Sequence, residues 1–190
     1  MIKLSPTSWV AITLVAILQT AALAWMVYGR VSLLRDGREI VAEVIPVDPR
    51  DLFRGDYVVL GYTFGGREIP VPAGTVQGDK VYVTLKPAGP EQWEVIGTSA
   101  TLDPPGDPTH VVMKGIVSYV STPATTTEPP KASVRYGIES YFVPEGTGLA
   151  LEQQVRDKKI SAILAVGSSG DVAIKALSVD GKRIHEEPLL

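Results

Sequence analysis

The sequence predicts a mainly β protein, an antiparallel sandwich or partly open barrel with one short helix, preceded by a single N-terminal transmembrane helix. Short runs rich in β-branched and aromatic residues follow one another without helical patterns between them, which is typical of antiparallel sheets. The 15 Pro and 18 Gly are spread along the 190 residues and indicate many turns. One uncharged apolar run near the N-terminus stands apart from this pattern. The chain therefore divides into an apolar anchor and one β-rich domain.

The bulk composition disfavours several kinds of function. The net charge of −3 shows no basic excess, so nucleic acid is not an expected partner. The absence of cysteine excludes disulfides, thiolate metal sites and a cysteine nucleophile. Because His110 and His185 are the only histidines, a site of several histidines is also disfavoured. We expect neither a metal nor a cofactor.

Residues 9–28 form the apolar run and include no charged side chain. A helix of these 20 residues is about 30 Å long, which matches the hydrocarbon core of a bilayer. Trp9 at one end and Trp25 and Tyr28 at the other fit the aromatic belts of membrane interfaces. We therefore predict a signal-anchor or transmembrane segment over residues 1–30 that contacts membrane lipid through residues 9–28.

A cleaved signal peptide is the alternative for this segment. Ala22-Leu23-Ala24 is a small-x-small cleavage pattern that follows an apolar stretch. However, the apolar run continues through Val27 and is longer than a typical signal-peptide core, so we expect an uncleaved anchor. A buried core helix fits less well because no polar face is visible, Gln19 and two threonines being the most polar members.

Two opposing signals bear on the orientation of the anchor. Three arginines after the span favour retention of the following domain in the cytoplasm, namely Arg30, Arg35 and Arg38. The signal-like N-terminus and the cysteine-free domain favour export. We predict a single-pass protein of the inner (cell) membrane whose C-terminal domain is extracytoplasmic, in the periplasm.

Beyond a charged neck at residues 31–39, residues 40–190 are predicted to form one domain. Its strands are predicted at residues 40–47, 57–64, 68–71, 80–86, 93–101, 110–120, 134–143, 160–166, 173–179 and 183–185. Hairpin turns are predicted at residues 64–67, 168–171 and 180–181. Thr147 is expected to cap a short helix through about Lys158, and the Thr- and Pro-rich residues 121–131 are expected to form an exposed loop.

Two of these strands carry further expectations. Gly115 is expected to mark a β-bulge in the strand at residues 110–120. Alternation divides the strand at residues 57–64 into two largely apolar faces, with Tyr57, Val59 and Gly61 on one and Val58, Leu60 and Tyr62 on the other. We therefore expect residues 57–64 to be buried on both sides.

Charged residues concentrate just before that strand. Asp48, Asp51 and Asp56 alternate with Arg50 and Arg54. Carboxylates at this density are typical of a cation site or of acid–base catalysis. In the alternative interpretation, the aspartates accept backbone N–H groups of a turn and the arginines hold their carboxylates. We favour the turn, because the spacing of a calcium-binding loop is absent.

A second acidic set lies among aromatic residues. Glu139 interrupts the aromatic-rich residues 136–142, and Glu145 and Glu152 follow them. Carboxylates beside aromatic rings are typical of sugar-binding or hydrolytic clefts, although such rings more often belong to the core of a strand. We favour the core. If the first charged stretch binds a partner directly, Tyr57 and Tyr62 are expected to form part of that recognition edge.

Four segments carry a family resemblance. They are GDYVVLGY at residues 55–62, DPRDLFRGDY at residues 48–57, YGIESYFVPEG at residues 136–146 and AIKALSVDGKRIHEEP at residues 173–188. Together they resemble the GDYXXLXY proteins over nearly all of the chain after the anchor. The resemblance implies a short, membrane-anchored bacterial protein that is found alongside, or fused to, polytopic membrane proteins. It implies no activity, cofactor or catalytic residue.

A membrane anchor followed by a β domain with a Gly-Asp strand is also similar to type I signal peptidases. Those enzymes use a serine before the Gly-Asp and a lysine after it. Residues 47–54 contain no serine, the nearest earlier serine is Ser32, and Lys80 has no nucleophile to assist. We therefore do not expect a serine–lysine protease.

The anchor, the β domain and the family resemblance together predict a non-enzymatic accessory or interaction module for a polytopic membrane partner. The alternative hypothesis is an envelope hydrolase, or a ligand- or cation-binding domain, that uses the clustered carboxylates. Convergence of those carboxylates in an open pocket would favour the alternative.

Overall fold

The computed structural model of the protein describes residues 6–45, 57–66, 68–121, 129–142 and 160–186. Within these ranges, one helix precedes twelve strands. The elements are α1 (Pro6–Asp36), β1 (Arg38–Ile45), β2 (Tyr57–Val59), β3 (Gly61–Tyr62), β4 (Ile69–Pro70), β5 (Lys80–Pro87), β6 (Trp93–Ser99), β7 (Val111–Ser121), β8 (Lys131–Arg135), β9 (Ser140–Phe142), β10 (Ile160–Val166), β11 (Val172–Val179) and β12 (Lys182–Glu186). The prediction of a mainly β protein with an N-terminal helix is confirmed.

The helix α1 is a candidate membrane span by its length and composition. Its 31 residues extend about 46 Å. Its most apolar window has a mean hydropathy of 2.1, and none of that window is buried. The hydroxyls of Thr13 and Thr20 donate to the carbonyls of Trp9 and Ala16, so both are satisfied inside the helix. The apolar surface of α1 is therefore exposed, as expected of a candidate membrane span.

The helix continues through most of the predicted neck and ends next to the β domain. Gly37 is the single residue between α1 and β1, and its N–H donates to the carbonyl of Leu33 at 3.0 Å. A side chain at residue 37 would meet that carbonyl and lie 3.1 Å from the Cβ of Ala165, so the close approach requires glycine. Leu34 is buried at the same junction. The helix is thus joined directly to the β domain.

The first sheet has five antiparallel strands in the order β12-β11-β10-β1-β3. β10 lies at its centre, and each of its seven residues is buried. Along β1, Ile40, Ala42 and Val44 are buried and alternate with more exposed residues, as period 2 predicts. The hairpins predicted at residues 168–171 and 180–181 are confirmed, because β10, β11 and β12 follow one another in antiparallel pairing.

The second sheet has the order β4-β8-β7-β5-β6 and is also antiparallel. Its two edge strands approach each other, because the hydroxyl of Thr98 on β6 donates to the carbonyl of Pro70 on β4 at 2.6 Å. The sheet thereby curls into a nearly closed barrel. β2 and β9 form a separate two-stranded ribbon. The predicted antiparallel, partly open barrel is confirmed.

The two five-stranded sheets share one core. The indole N–H of Trp93 donates to the carbonyl of Val41 at 2.8 Å, and the N–H of Lys114 donates to the carbonyl of Gly170 at 2.7 Å, so the sheets meet at two places. The largest fully buried side chains come from both of them and from the ribbon region: Tyr62, Leu60, Leu85, Met113, Ile138, Ile160, Leu164 and Leu177. These side chains belong to one hydrophobic cluster.

Two carboxylates are held by ion pairs that join separate strands. The carboxylate of Glu39 lies 2.7 Å from the ammonium of Lys175 and 2.7 Å from the guanidinium of Arg183. The hydrogen bond from Lys175, aided by both positive charges, lowers the pKa of Glu39 from its ordinary 4.5 although burial opposes the change. Asp171 is ion-paired with Lys114. Burial alone would raise the pKa of Asp171, but hydrogen bonds led by that of Lys114 lower it.

These lowered pKa values predict that acid destabilises the domain. The stability from each pair is present above the ordinary pKa values of 4.5 and 3.8 and is lost as the pH falls through the lower folded-state values. We expect the Tm of the unmodified protein to stay constant from about pH 7 to pH 5 and to decrease below about pH 4. In Glu39→Gln the decrease of Tm with falling pH should be less steep, because that variant lacks one of the two titrating carboxylates. Thermal unfolding followed by circular dichroism measures this. Glu94→Gln, at the exposed Lys86–Glu94 pair, is the control; equal slopes in Glu39→Gln and the unmodified protein would contradict the prediction.

Two strands that the sequence predicts as continuous are each divided in the structure. The strand predicted at residues 57–64 breaks at Leu60 into β2, which pairs with β9, and β3, which pairs with β1. The strand predicted at residues 134–143 breaks at Gly137, whose φ of 81° cannot continue a strand. In both places the chain passes from one sheet to another, and a period-2 pattern does not detect such a crossing.

The described part of residues 57–64 also differs from prediction in its burial and its turn. Val59 and Gly61 are only partly buried, whereas Tyr62 on the other face is fully buried, so the expected burial on both sides is wrong. A turn follows at residues 63–66 as predicted. It closes no hairpin, because β3 pairs with β1 and β4 pairs with β8.

Gly115 does not mark the bulge that its position predicts. It lies in regular register opposite Val81, and the irregularity of β7 comes after Val117. Glycine is needed there for a different reason, the close packing against β8. The predicted helix at residues 147–158 lies outside the described residues, as does most of the predicted loop at residues 121–131.

Candidate functional site

Residues 57–60 are paired with residues 139–142. β2 and β9 are in antiparallel register, with Tyr57 opposite Phe142. Where β2 ends, the N–H of Leu60 donates to the carbonyl of Glu139 at 2.9 Å and extends the pairing. Two segments that are distant in sequence therefore form one backbone ladder.

Three aromatic rings lie at the end of this ladder. The hydroxyl of Tyr62 donates to the buried carbonyl of Ile138 at 2.9 Å. Its ring stacks on Phe64, with centroids 5.2 Å apart. The edge of a third ring, that of Tyr136, meets Phe64 at a centroid distance of 5.7 Å and an interplanar angle of 79°. The rings hold the residues after β3 against the residues after β8.

The carboxylate of Glu139 is used to fix the turn that precedes β9. One oxygen accepts the N–H of Tyr136 at 2.6 Å, and the other accepts the N–H of Gly137 at 2.9 Å. These are charge-assisted hydrogen bonds within three residues of sequence, and they stabilise the positive φ of Gly137. Glu139 therefore has a structural role in the turn.

Tyr62 and Tyr136 are unsuited to proton transfer. Burial, reinforced by the negative charge of Glu139, raises the pKa of both phenols well above the ordinary 10.0. Both stay neutral at physiological pH. The hydroxyl of Tyr136 is buried, and among the described residues it has no hydrogen-bond partner. The two side chains act through packing and, in Tyr62, through one hydrogen bond.

An open groove of about 440 Å³ runs beside this turn. Its charged lining comes from Lys114, Arg135, Glu139 and Asp171, of which Lys114 and Asp171 are ion-paired. The described residues that line it include no serine, threonine, cysteine or histidine, so they form no Ser–His or Cys–His pair. In the described part of the chain, no group of three or more His, Asp and Glu side chains is arranged to hold a metal ion. The groove can offer charge and shape to a ligand.

A family model described as "GDYXXLXY protein" matches residues 19–177 of the chain. The match begins within α1, passes through the signature and ends within β11. The chain belongs to the GDYXXLXY family. Comparison with curated proteins and with solved structures found no match. The signature that gives the GDYXXLXY family its name covers residues 55–62, and its described part comprises β2 and Leu60 of the ladder above, followed by β3.

The ladder explains what the GDYXXLXY signature does in the fold. Its leucine, Leu60, and its last tyrosine, Tyr62, are fully buried, and its first tyrosine pairs through the backbone with β9. The second family-like segment, at residues 136–146, supplies the other side of the ladder up to Phe142. The two segments are thus strand partners, and the signature specifies a crossing between sheets.

The structure brings together only some of the residues that the sequence indicates as candidates. Tyr62 and Glu139 lie in the same cluster, joined through Ile138. Tyr57 is placed by its backbone beside Phe142. The remaining candidates lie outside the described residues: Asp48, Arg50, Asp51, Arg54, Asp56 and Glu145. The expectation that the aromatic residues near Glu139 belong to the core is confirmed for Tyr136 and Tyr141, which are buried.

Sequence reasoning missed an arginine at the start of β1 that holds a loop through hydrogen bonds. The guanidinium of Arg38 donates to the carbonyls of Pro108, Thr109 and His110 at distances of 2.6 to 2.9 Å. Arg38 counts as a positive charge flanking the candidate membrane span, yet in the structure its side chain bonds to a loop of the β domain. No periodic signal links residues so far apart in sequence, whereas the run of Pro and Gly after residue 103 does indicate a loop that needs support.

Proposed function

We propose that this GDYXXLXY protein is a single-pass membrane protein whose extracytoplasmic β domain is a non-enzymatic interaction module for a polytopic membrane partner. The observation that carries the proposal is Gln19, a polar side chain at the middle of the apolar run at residues 9–28. Two observations support a binding role over hydrolysis: the described lining of the groove has no Ser–His or Cys–His pair, and Glu139 is bonded to its own turn.

Gln19 differs from the other polar side chains of the span. The threonine hydroxyls bond to carbonyls of their own helix. In the described part of the chain, the amide of Gln19 has no hydrogen-bond partner and its side chain is exposed. An unpaired amide in hydrocarbon costs about 4–8 kcal/mol on a cyclohexane scale, and a polar group on a neighbouring helix relieves that cost. The span is therefore suited to lateral association with another transmembrane helix.

The direct junction at Gly37 adds a second contact for such a partner. Because α1 runs into β1 through one residue, the β domain stays close to the membrane surface. A polytopic protein that packs on α1 therefore meets the membrane-facing side of the domain as well. This arrangement favours a partner in the membrane over a soluble one.

Gln19→Leu tests the proposal. The tagged full chain is produced at native level, extracted in mild detergent and captured, and the associated proteins are quantified. We expect a polytopic membrane protein at near-equal stoichiometry with the unmodified chain and about fivefold less with Gln19→Leu, since an interhelical hydrogen bond contributes about 1 kcal/mol.

Thr20→Val is the matched control, because it also removes a polar side chain from the span but one that is satisfied within the helix. It should capture the partner as well as the unmodified chain does. If the unmodified chain is recovered without a partner, an interaction through Gln19 is contradicted. It is also contradicted if Gln19→Leu and Thr20→Val lose the captured partner to the same extent. Flotation of the membrane vesicles on a density gradient, before detergent is added, checks that each variant is in the membrane.

A further inference from the structure

A cleft of about 550 Å³ lies where α1 enters the β domain. One wall is the end of α1, with Arg30, Ser32 and Asp36. The other wall is the turn between β10 and β11, with Ser168 and Ser169. The cleft therefore combines side chains of the candidate membrane anchor with side chains of the β domain.

We propose that this cleft binds the phosphoethanolamine headgroup of a membrane lipid, with its phosphate on Arg30 and its ammonium group on Asp36. The inference rests on the membrane anchoring in the proposed function, because only an inserted α1 brings the cleft to the lipid headgroups. It does not require a protein partner, and its test is separate from the capture experiment above.

Arg30 lies at the depth of lipid phosphates. It follows Tyr28, the last residue of the apolar run, by two positions, which is about 3 Å along the helix. The headgroup layer of one leaflet is about 5–8 Å thick. Within the described residues, the guanidinium of Arg30 has no hydrogen-bond or ion-pair partner. It is therefore free to make the charge-assisted hydrogen bonds that arginine forms with phosphate.

Asp36 supplies the negative end of the cleft. Its carboxylate accepts the hydroxyl of Ser32 at 3.2 Å, so it reaches back one turn toward the membrane. Ser32 is two residues, or about 3 Å along the axis, beyond Arg30. The carbonyls of the last helical turn also carry partial negative charge, which favours a cation there. The positive and negative groups thus follow each other outward in the same order as phosphate and ammonium in the lipid.

The third charged residue that lines the cleft is already paired. Asp171 also lines it, but that carboxylate is ion-paired with Lys114 and accepts the hydroxyl of Ser169 at 2.6 Å. What remains is one cation and one anion, Arg30 and Asp36. A purely anionic headgroup would leave Asp36 without a cation, and a choline group offers that carboxylate no N–H donor. The cleft is therefore expected to prefer phosphatidylethanolamine over phosphatidylglycerol and phosphatidylcholine.

The experiment measures lipid retention by the full chain. Purified protein in detergent is incubated with phosphatidylethanolamine, phosphatidylglycerol or phosphatidylcholine, and the bound lipid is counted by native mass spectrometry. We expect preferential retention of phosphatidylethanolamine, and about tenfold weaker retention in Arg30→Gln because a charge-assisted contact is lost. Arg35→Gln removes the same charge from the same helix outside the cleft, and it should bind like the unmodified chain. Asp36→Asn should abolish the preference over phosphatidylglycerol.

Competition with soluble phosphoethanolamine distinguishes the source of the headgroup. Weak competition at millimolar concentration supports a lipid ligand, whereas tight binding of the soluble compound overturns the assignment to lipid. The proposal would also be overturned if Arg30→Gln and Arg35→Gln weakened lipid retention equally, or if the unmodified chain retained all three lipids equally. Circular dichroism and vesicle flotation show whether each variant is folded and inserted. A chain that fails to float refutes the anchoring itself, whereas a chain that floats without lipid preference refutes only the headgroup site.

Discussion

Replacement of Tyr62 by alanine is expected to lower the free energy of unfolding of the β domain by about 3–5 kcal/mol. The side chain is 2% exposed and stacks on Phe64 within the core shared by the sheets. Its removal leaves a cavity there and also leaves the carbonyl of Ile138 buried without its donor. Because domains of this size are commonly stable by about 5–15 kcal/mol, the variant is expected to be close to unfolding.

Urea unfolding followed by circular dichroism measures the effect on the full chain. Tyr62→Phe keeps the ring and loses only the hydroxyl, so we expect a cost of about 1–2 kcal/mol. Tyr119→Ala is the control, because that tyrosine lies on β7 and is 59% exposed; its cost should be small. If Tyr62→Ala proves as stable as Tyr119→Ala, the structural role of the signature tyrosine is wrong.

Gly115→Ala is expected to destabilise the domain by about 1–3 kcal/mol through overpacking. A Cβ at residue 115 would overlap the side chain of Val134 and lie 3.1 Å from the carbonyl of Arg135 and 3.3 Å from the ring of Tyr136. Val134 is β-branched and buried, so it has little freedom to rotate away. β7 and β8 would have to separate, and the turn that Glu139 fixes would move with them.

Gly97→Ala is the matched control, because Gly97 lies within β6 and a Cβ there has no atom within 4 Å. Alanine is favoured over glycine in a strand, so Gly97→Ala should be neutral or stabilise the domain by up to about 1 kcal/mol. Both variants are compared by urea unfolding at one pH. Equal effects of the two substitutions would show that the contact with Val134 does not limit the packing.

The elements that the sequence predicts best are those fixed by local pattern. The bounds of β10 at Ile160–Val166 agree with the predicted strand, because a run of apolar residues between turn signals suits a strand buried on both faces. The helix α1 is recognisable for the same reason, since its apolar run is long and uninterrupted. Both hairpins after β10 follow from Gly and Asp at the required positions.

The crossings between sheets were not predictable from local pattern. Leu60 continues the alternation of its neighbours, so nothing in the sequence indicates that β2 and β3 pair with different strands. Gly137 carries a clearer signal, because glycine inside a strand pattern often marks a break. The side-chain bond of Glu139 to its own turn is detectable only when the backbone path is known.

The candidate sites were harder to predict than the fold. The two backbone N–H groups that bond to the carboxylate of Glu139 could not be predicted, because the amino-acid sequence does not show which groups a side chain will contact. The cleft at the end of α1 depends on Arg30 and the turn after β10 lining the same space, although they lie more than 130 positions apart in sequence. The structure supplies that juxtaposition, whereas the sequence supplies only the individual charges.

The junction at Gly37 determines which way the β domain faces around the axis of α1, as well as its distance along that axis. Each helical residue adds about 1.5 Å and about 100° of rotation, so the continuous helix from Tyr28 to Asp36 fixes the orientation of the domain about the axis of α1. A protein with a flexible tether would present every side of its domain to a neighbour that packs on the helix. Here one side faces any protein that packs on a given face of α1, so the helix sequence also selects which strands that neighbour can contact.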